Sequence, residues 1–300
     1  MFVIFNLLRN CFIKHLQSAT WLVILVLFAA CENENHPTLQ KNKPLILVSI
    51  APYQFLIQKI GGEHIEVRSI VKPGADIHTY EPTPHQRSSL GEAEIWFRIG
   101  ESFESKLLTL FQNQSRIIDL RDGVDLIVHN INDRCCPGAD NEDRHMWLSP
   151  KIAQIQARKI SKILCEQFPT HREAFQINLQ TLLFDLDSLD KEIEQALAHL
   201  KNRFFLVSHP AFGYFCRDYS LQQLSVEFEA KDPCTKHLSQ IFDQAKLKQP
   251  GVAISLPQHN NKGTQIIAQK LHLPIKMIDP YSHDYFETMR CLTQWIASQK

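Results

Sequence analysis

Three side chains stand where an alternating strand-and-helix chain would place a ligand, and a fourth candidate lies just ahead of a helix. His78 follows the apolar run Ile65–Val71 through Lys-Pro-Gly-Ala-Asp-Ile. His209 comes directly after Phe204–Ser208, and Asp279 directly after Ile275–Ile278. His145 lies in Asp-Arg-His-Met-Trp-Leu-Ser-Pro, just ahead of a helix start. In open α/β sheets ligands bind beyond the carboxyl ends of the strands. Three imidazoles and a carboxylate converging there offer the nitrogen and oxygen donors that suit zinc and other first-row divalent cations. A lone histidine is more often a surface or hydrogen-bonded residue, so it is the strand-end position shared by His78, His209 and Asp279 that raises the reading. Such a nitrogen-rich set of four favours tetrahedral zinc, whereas manganese prefers more oxygen and a higher coordination number. A bidentate Asp279 would raise that number and keeps manganese or iron open.

Most other histidines read as ordinary surface groups. His85, His171, His199 and His237 fall in helical patterns, and His64 and His272 at element edges. His129 and His283 are the two that an accessory metal contact would use. A secreted zinc-dependent hydrolase is the competing reading from another class. Catalytic zinc needs an open coordination position and usually a nearby base. The chain has no His-Glu-x-x-His, Gly-x-Ser-x-Gly or glycine-rich phosphate loop. Binding is therefore expected in place of catalysis.

These residues need elements to position them. Strand-like runs occur at Leu45–Ile50, Ile65–Val71, Ile95–Ile99 and Arg116–Leu120, then at Phe204–Ser208, Leu224–Phe228, Val252–Leu256 and Ile275–Ile278. Helical patterns separate them, with Ser88–Glu94 in a short helix or its exit, which predicts parallel sheets with helices on their faces. Between the halves, apolar residues recur at Leu179, Leu182, Leu186, Leu189, Ile193, Leu197 and Leu200. Steps of three and four along this run predict one helix over 170–200, opened by a capping box of Thr170 and Glu173. The expected architecture is α/β: two lobes, each with a roughly four-stranded, mainly parallel sheet, joined by one long rigid helix. The lobes would span 44–169 and 201–300.

The 300 residues contain 32 Lys+Arg and 32 Asp+Glu, so no basic excess points to nucleic acid. Trp21–Ala30 is a ten-residue apolar run, preceded by Arg9 and Lys14. That is too short to span a bilayer and fits a signal peptide over residues 1–30. Small residues then lead into Cys31, as in a bacterial lipobox, which predicts an acylated Cys31 on a polar tether over 31–43.

Four segments in order carry a family likeness: KPGADIHTYEPTP (Lys72–Pro84), DRHMWLSP (Asp143–Pro150), SHPAFGYFCRDYSL (Ser208–Leu221) and MIDP (Met277–Pro280). Together they resemble the metal-binding substrate-binding proteins of bacterial ABC transporters, the zinc and manganese group called cluster A-I. The resemblance implies two α/β lobes on a rigid helix with the metal between them. Its four ligand positions fall on His78, His145, His209 and Asp279. It further implies a divalent ion as transported ligand, zinc first and Mn2+ or Fe2+ as alternatives. The implied partner is an ABC permease, and the implied place is outside the cytoplasm, as a lipid-anchored monomer. Two features depart from the pattern: Ser149 stands where an aspartate is common, and the loop Asn130–Arg144 is not histidine-rich.

Overall fold

Each half of the chain lays down a strand, crosses through a helix, and lays the next strand parallel to it. The computed structural model describes residues 43–109, 116–128, 142–227 and 235–298, and Lys43–Lys300 forms one compact unit. The segment expected as a signal peptide, Cys31, His129 and the cysteine-bearing part of the Asn130–Arg144 loop lie outside the described residues. In the first half the elements are β1 (Leu45–Val48), α1 (Ala51–Gly61), β2 (Glu66–Ser69), α2 (Pro84–Leu90), β3 (Ile95–Arg98), α3 (Ser102–Leu108) and β4 (Arg116–Asp119). Then come α4 (Pro150–Gln167) and α5 (Arg172–Leu197). The second half holds β5 (Phe204–Val207), α6 (Gly213–Asp218), β6 (Gln222–Ser225), α7 (Thr235–Lys248), β7 (Ala253–Ser255), α8 (Lys262–Leu271), β8 (Ile275–Met277) and α9 (Tyr285–Ala297).

The two four-stranded sheets repeat one order, β2-β1-β3-β4 and β6-β5-β7-β8. Every pairing is parallel, with Leu45 opposite Glu66, Ile46 opposite Ile95, and Phe204 opposite Gln222. In both, the chain leaves its first strand to one side and returns on the other, so the order reverses between β1 and β3 and again between β5 and β7. Ligand crevices open at such reversals. The central strand β1 is buried along its whole length, as a parallel strand covered on both faces must be. The expected α/β architecture, two sheets and one long joining helix, is borne out.

Helix α5 is 26 residues, about 39 Å at 1.5 Å per residue. Its buried stripe is Phe175, Leu182, Leu183, Leu186, Leu189, Ile193 and Leu197. It packs on α1 from the first half, on α4, and on α9 from the second. One apolar core runs from Ile46 and Trp96 through Leu186 to Phe205, Tyr214 and Leu292. A smaller cluster, including Leu206, Ile241 and Ile267, lies beneath α7 and α8.

One local expectation is corrected. The capping box at Thr170 and Glu173 does not form. Pro169–His171 is a tight turn, so Thr170 is inside it and His171 takes the cap position without a side-chain bond. The box occurs instead at Thr83, whose Oγ1 accepts from Gln86 N at 3.3 Å while Thr83 N donates to Gln86 Oε1 at 3.0 Å. Helix α2 starts at Pro84, because Pro fits the first helical position, and Ser88–Glu94 covers its last turn and exit, as expected. Ser149, where an aspartate is common, caps α4 by accepting from Ile152 N at 3.1 Å, and its hydroxyl donates to Asp218 on α6.

Candidate metal centre

The loops at the carboxyl ends of the strands bring four imidazoles together. His78 lies in the β2–α2 loop, where its backbone N–H donates to Asp76 Oδ1 at 2.9 Å. Its Nδ1 is 3.5 Å from Oε2 of Glu101, the residue that opens α3 after β3. Glu104 fixes that turn by accepting from Ile99 N at 2.9 Å, Gly100 N at 2.8 Å and the Ser49 hydroxyl at 2.5 Å. Burial alone would lower the His78 pKa, but the adjacent Glu101 outweighs it and raises it. Burial would likewise raise Glu101, and His78 with Arg144 holds it low.

His145 stands ahead of α4. Its Nδ1 is 2.8 Å from Asp143 Oδ1, and its backbone N–H donates to the same oxygen at 2.9 Å. The carbonyl of Asp143 accepts from Tyr214 Oη at 2.5 Å, which ties this segment to α6. Gly213 is required beside it, since a Cβ there would lie 2.5 Å from Asp143 Oδ2.

His209 follows β5 and is almost wholly buried. Burial pushes its pKa well down, and the neighbouring imidazoles His145, His259 and His78 push it further. Its ring is therefore neutral at physiological pH, with a lone pair to give. His259, in the loop after β7, stacks on it with centroids 4.0 Å apart and planes 13° from parallel. One carboxylate oxygen, Glu227 Oε2 beyond β6, lies 3.2 Å from His259 Nδ1 and 3.8 Å from His209 Nδ1.

The ligand atoms of His78, His145 and His209 lie within 4.8 Å of one another, as do those of His209, Glu227 and His259. The Nε2 atoms of all four histidines are buried without a hydrogen-bond partner. So are both oxygens of Glu101, Oδ2 of Asp143 and Oε2 of Glu227. Buried polar atoms left this way cost free energy that a ligand would recover. Carboxylates facing Nδ1 favour the tautomer with hydrogen on that atom, which leaves Nε2 bare for a metal. Bare imidazole nitrogens ringed by buried carboxylate oxygens form a pocket suited to a divalent cation.

Asp279 falls outside both groups. Its Oδ1 accepts from Gln258 Nε2 at 2.7 Å and from Tyr281 N at 2.9 Å. His283 packs edge-on against Phe55, and His64 stacks on His171 at 4.3 Å, so these are packing residues. Sequence reasoning missed His259 and Glu227. The strand-end rule that found His209 would have found His259, four residues beyond β7.

The family model for the zinc-uptake complex component A, periplasmic, matches residues 46–299. The chain belongs to this family. A crystal structure of ZnuA is similar at 33% identity and a TM-score of 0.79, covering 86% of this chain and 99% of that one. A Chlamydia muridarum protein provisionally named as metal-binding is 31% identical over 89% of this chain and 96% of its own length. The manganese ABC transporter substrate-binding lipoprotein PsaA of Streptococcus anginosus is 24% identical over 84% of this chain and 86% of its own length. The resemblance to metal-binding components of ABC importers is thereby borne out. The family is a periplasmic metal-binding component of transport and not an enzyme family. Among the described residues no helix is long and apolar enough to cross a membrane.

Proposed function

We propose that this chain captures a divalent metal ion, zinc before manganese or iron, and delivers it to an ABC permease for import. His78, His145 and His209 carry the ion through Nε2. The observation that supports this is the set of buried Nε2 atoms without partners, contributed by both halves of the chain. Nitrogen donors at this density suit zinc better than manganese. Glu101 and Asp143 orient His78 and His145 and offset the charge of the ion. Acylation of Cys31 would hold a monomeric binding protein on the membrane surface, within reach of the permease.

A zinc ion that binds the folded state alone raises its stability, by about 2.7 kcal/mol at a free concentration of 100 Kd. The purified mature protein is expected to take up one zinc per chain, seen by elemental analysis, and to melt at a higher temperature with zinc than without. His145→Ala should lose most of that rise while melting normally without metal. An unchanged rise in this variant would remove His145 from the site.

A further inference from the structure

We propose that His259 supplies the fourth nitrogen to the captured ion, and that Glu227 is the carboxylate that holds His209 and His259 ready for it. This rests on the reading that His78, His145 and His209 bind the ion, and it goes further by completing the shell. The fold supplies the first argument. The order of the second sheet reverses between β5 and β7, and the loops leaving those two strands carry His209 and His259. Asp279 follows β8, the edge strand.

The second argument is chemical. The side chain of His259 is only 2% exposed, and its Nε2 has no partner. Such a nitrogen is kept from water at a cost unless something binds it. Glu227 Oε2 lies 3.2 Å from the Nδ1 of His259 and 3.8 Å from the Nδ1 of His209, which is itself buried without a hydrogen-bond partner. His259 is 6.1 Å from His78 between centroids, close to the 5.6 Å that separates His78 from His145. Tetrahedral zinc needs its ligand nitrogens roughly 3.3 Å apart, so all the rings must draw in, His259 included. Its loop, carrying the turn Pro257–Gln258, lies beyond Ser255, the last paired residue of β7. Asp279 already spends Oδ1 on Gln258 and the Tyr281 amide.

Four neutral imidazoles would make an all-nitrogen shell. The compensating charge then sits outside it, on Glu101, Asp143 and Glu227. Such a shell discriminates against manganese, which favours oxygen donors. His259 is thus a specificity-determining residue for the ion that is carried.

X-ray absorption at the zinc edge of the zinc-loaded wild-type protein counts imidazole ligands without a mutation. Four imidazoles are expected; three imidazoles with an oxygen ligand would overturn the proposal. Competition titration of zinc against a chromophoric chelator tests it again. Glu227→Gln should weaken zinc about 10–100-fold, as outer carboxylates on metal-bound histidines do, and His259→Gln at least as much. Asp279→Asn should change zinc affinity less than about twofold on the same scale. Loss in Asp279→Asn with His259→Gln unaffected would give the fourth position to Asp279 and leave the zinc-binding role intact. If the wild-type protein bound no zinc, or His209→Gln bound it normally, the underlying site assignment would fail instead. Should His259→Gln not fold, the wild-type ligand count decides alone.

Discussion

At the scale of single residues, the centre is organised by carboxylates that do not themselves need to touch an ion. Asp143 is the best placed. It receives both the ring and the backbone N–H of His145 on one oxygen, at 2.8 and 2.9 Å. Asp143→Asn keeps the shape and removes the charge. Zinc affinity is expected to fall about 10–100-fold, with the metal-free melting temperature little changed. Equal affinity in the variant would mean that backbone geometry alone holds His145. Three of the four residues chosen from sequence, His78 and His209 at strand ends and His145 ahead of a helix, come together in the folded chain. His259 and Glu227 were legible by the same rule but were hidden by element boundaries. Reading a strand over Leu224–Phe228 buries Glu227 in its middle, whereas β6 ends at Ser225 and frees Glu227 to turn toward the histidines. His259 follows its strand through Leu256-Pro257-Gln258, a spacing that hides its link to the strand end.

At the scale of elements, the α5 stripe decides whether the halves behave as one body. Leu186 is fully buried within the core shared by both sheets. Leu186→Ala should cost about 2–5 kcal/mol through lost burial and the cavity left behind. Because the core is continuous, thermal unfolding should keep a single transition at a lower midpoint, followed by calorimetry. Two separated transitions would show that the sheets melt independently and that α5 is only a tether. The period of the leucines made this helix readable before the structure. Its start was not, because Thr170 and Glu173 satisfy the capping spacing while Pro169 draws the chain into a tight turn. Local spacing reports a possible bond, and the competing turn decides whether the residue has the backbone conformation to make it.

At the scale of the whole molecule, the question is how far the two sheets move when an ion arrives. Wide hinge closure needs a few residues able to absorb a large backbone change. Helix α5 has neither Gly nor Pro between Arg172 and Leu197, and sharp helix kinks come from Pro, Gly or a bulge. Other bonds cross from one half to the other. Trp147 Nε1 donates to the Pro280 carbonyl at 2.8 Å, Tyr214 Oη donates to the Asp143 carbonyl, and Ser149 pairs with Asp218. Two of these three flank His145, so the segment that carries it is already fixed to the second half before any ion binds. The loops of His78 and His259 lie beyond β2 and β7. Metal uptake should therefore draw in side chains and order loops, with the sheets tilting little. Small-angle scattering with and without zinc should give nearly equal radii of gyration, while hydrogen exchange slows around His78, His209 and His259. A large contraction on adding zinc would mean that the contacts of α5 and Trp147 yield, and that the molecule closes as a hinge after all.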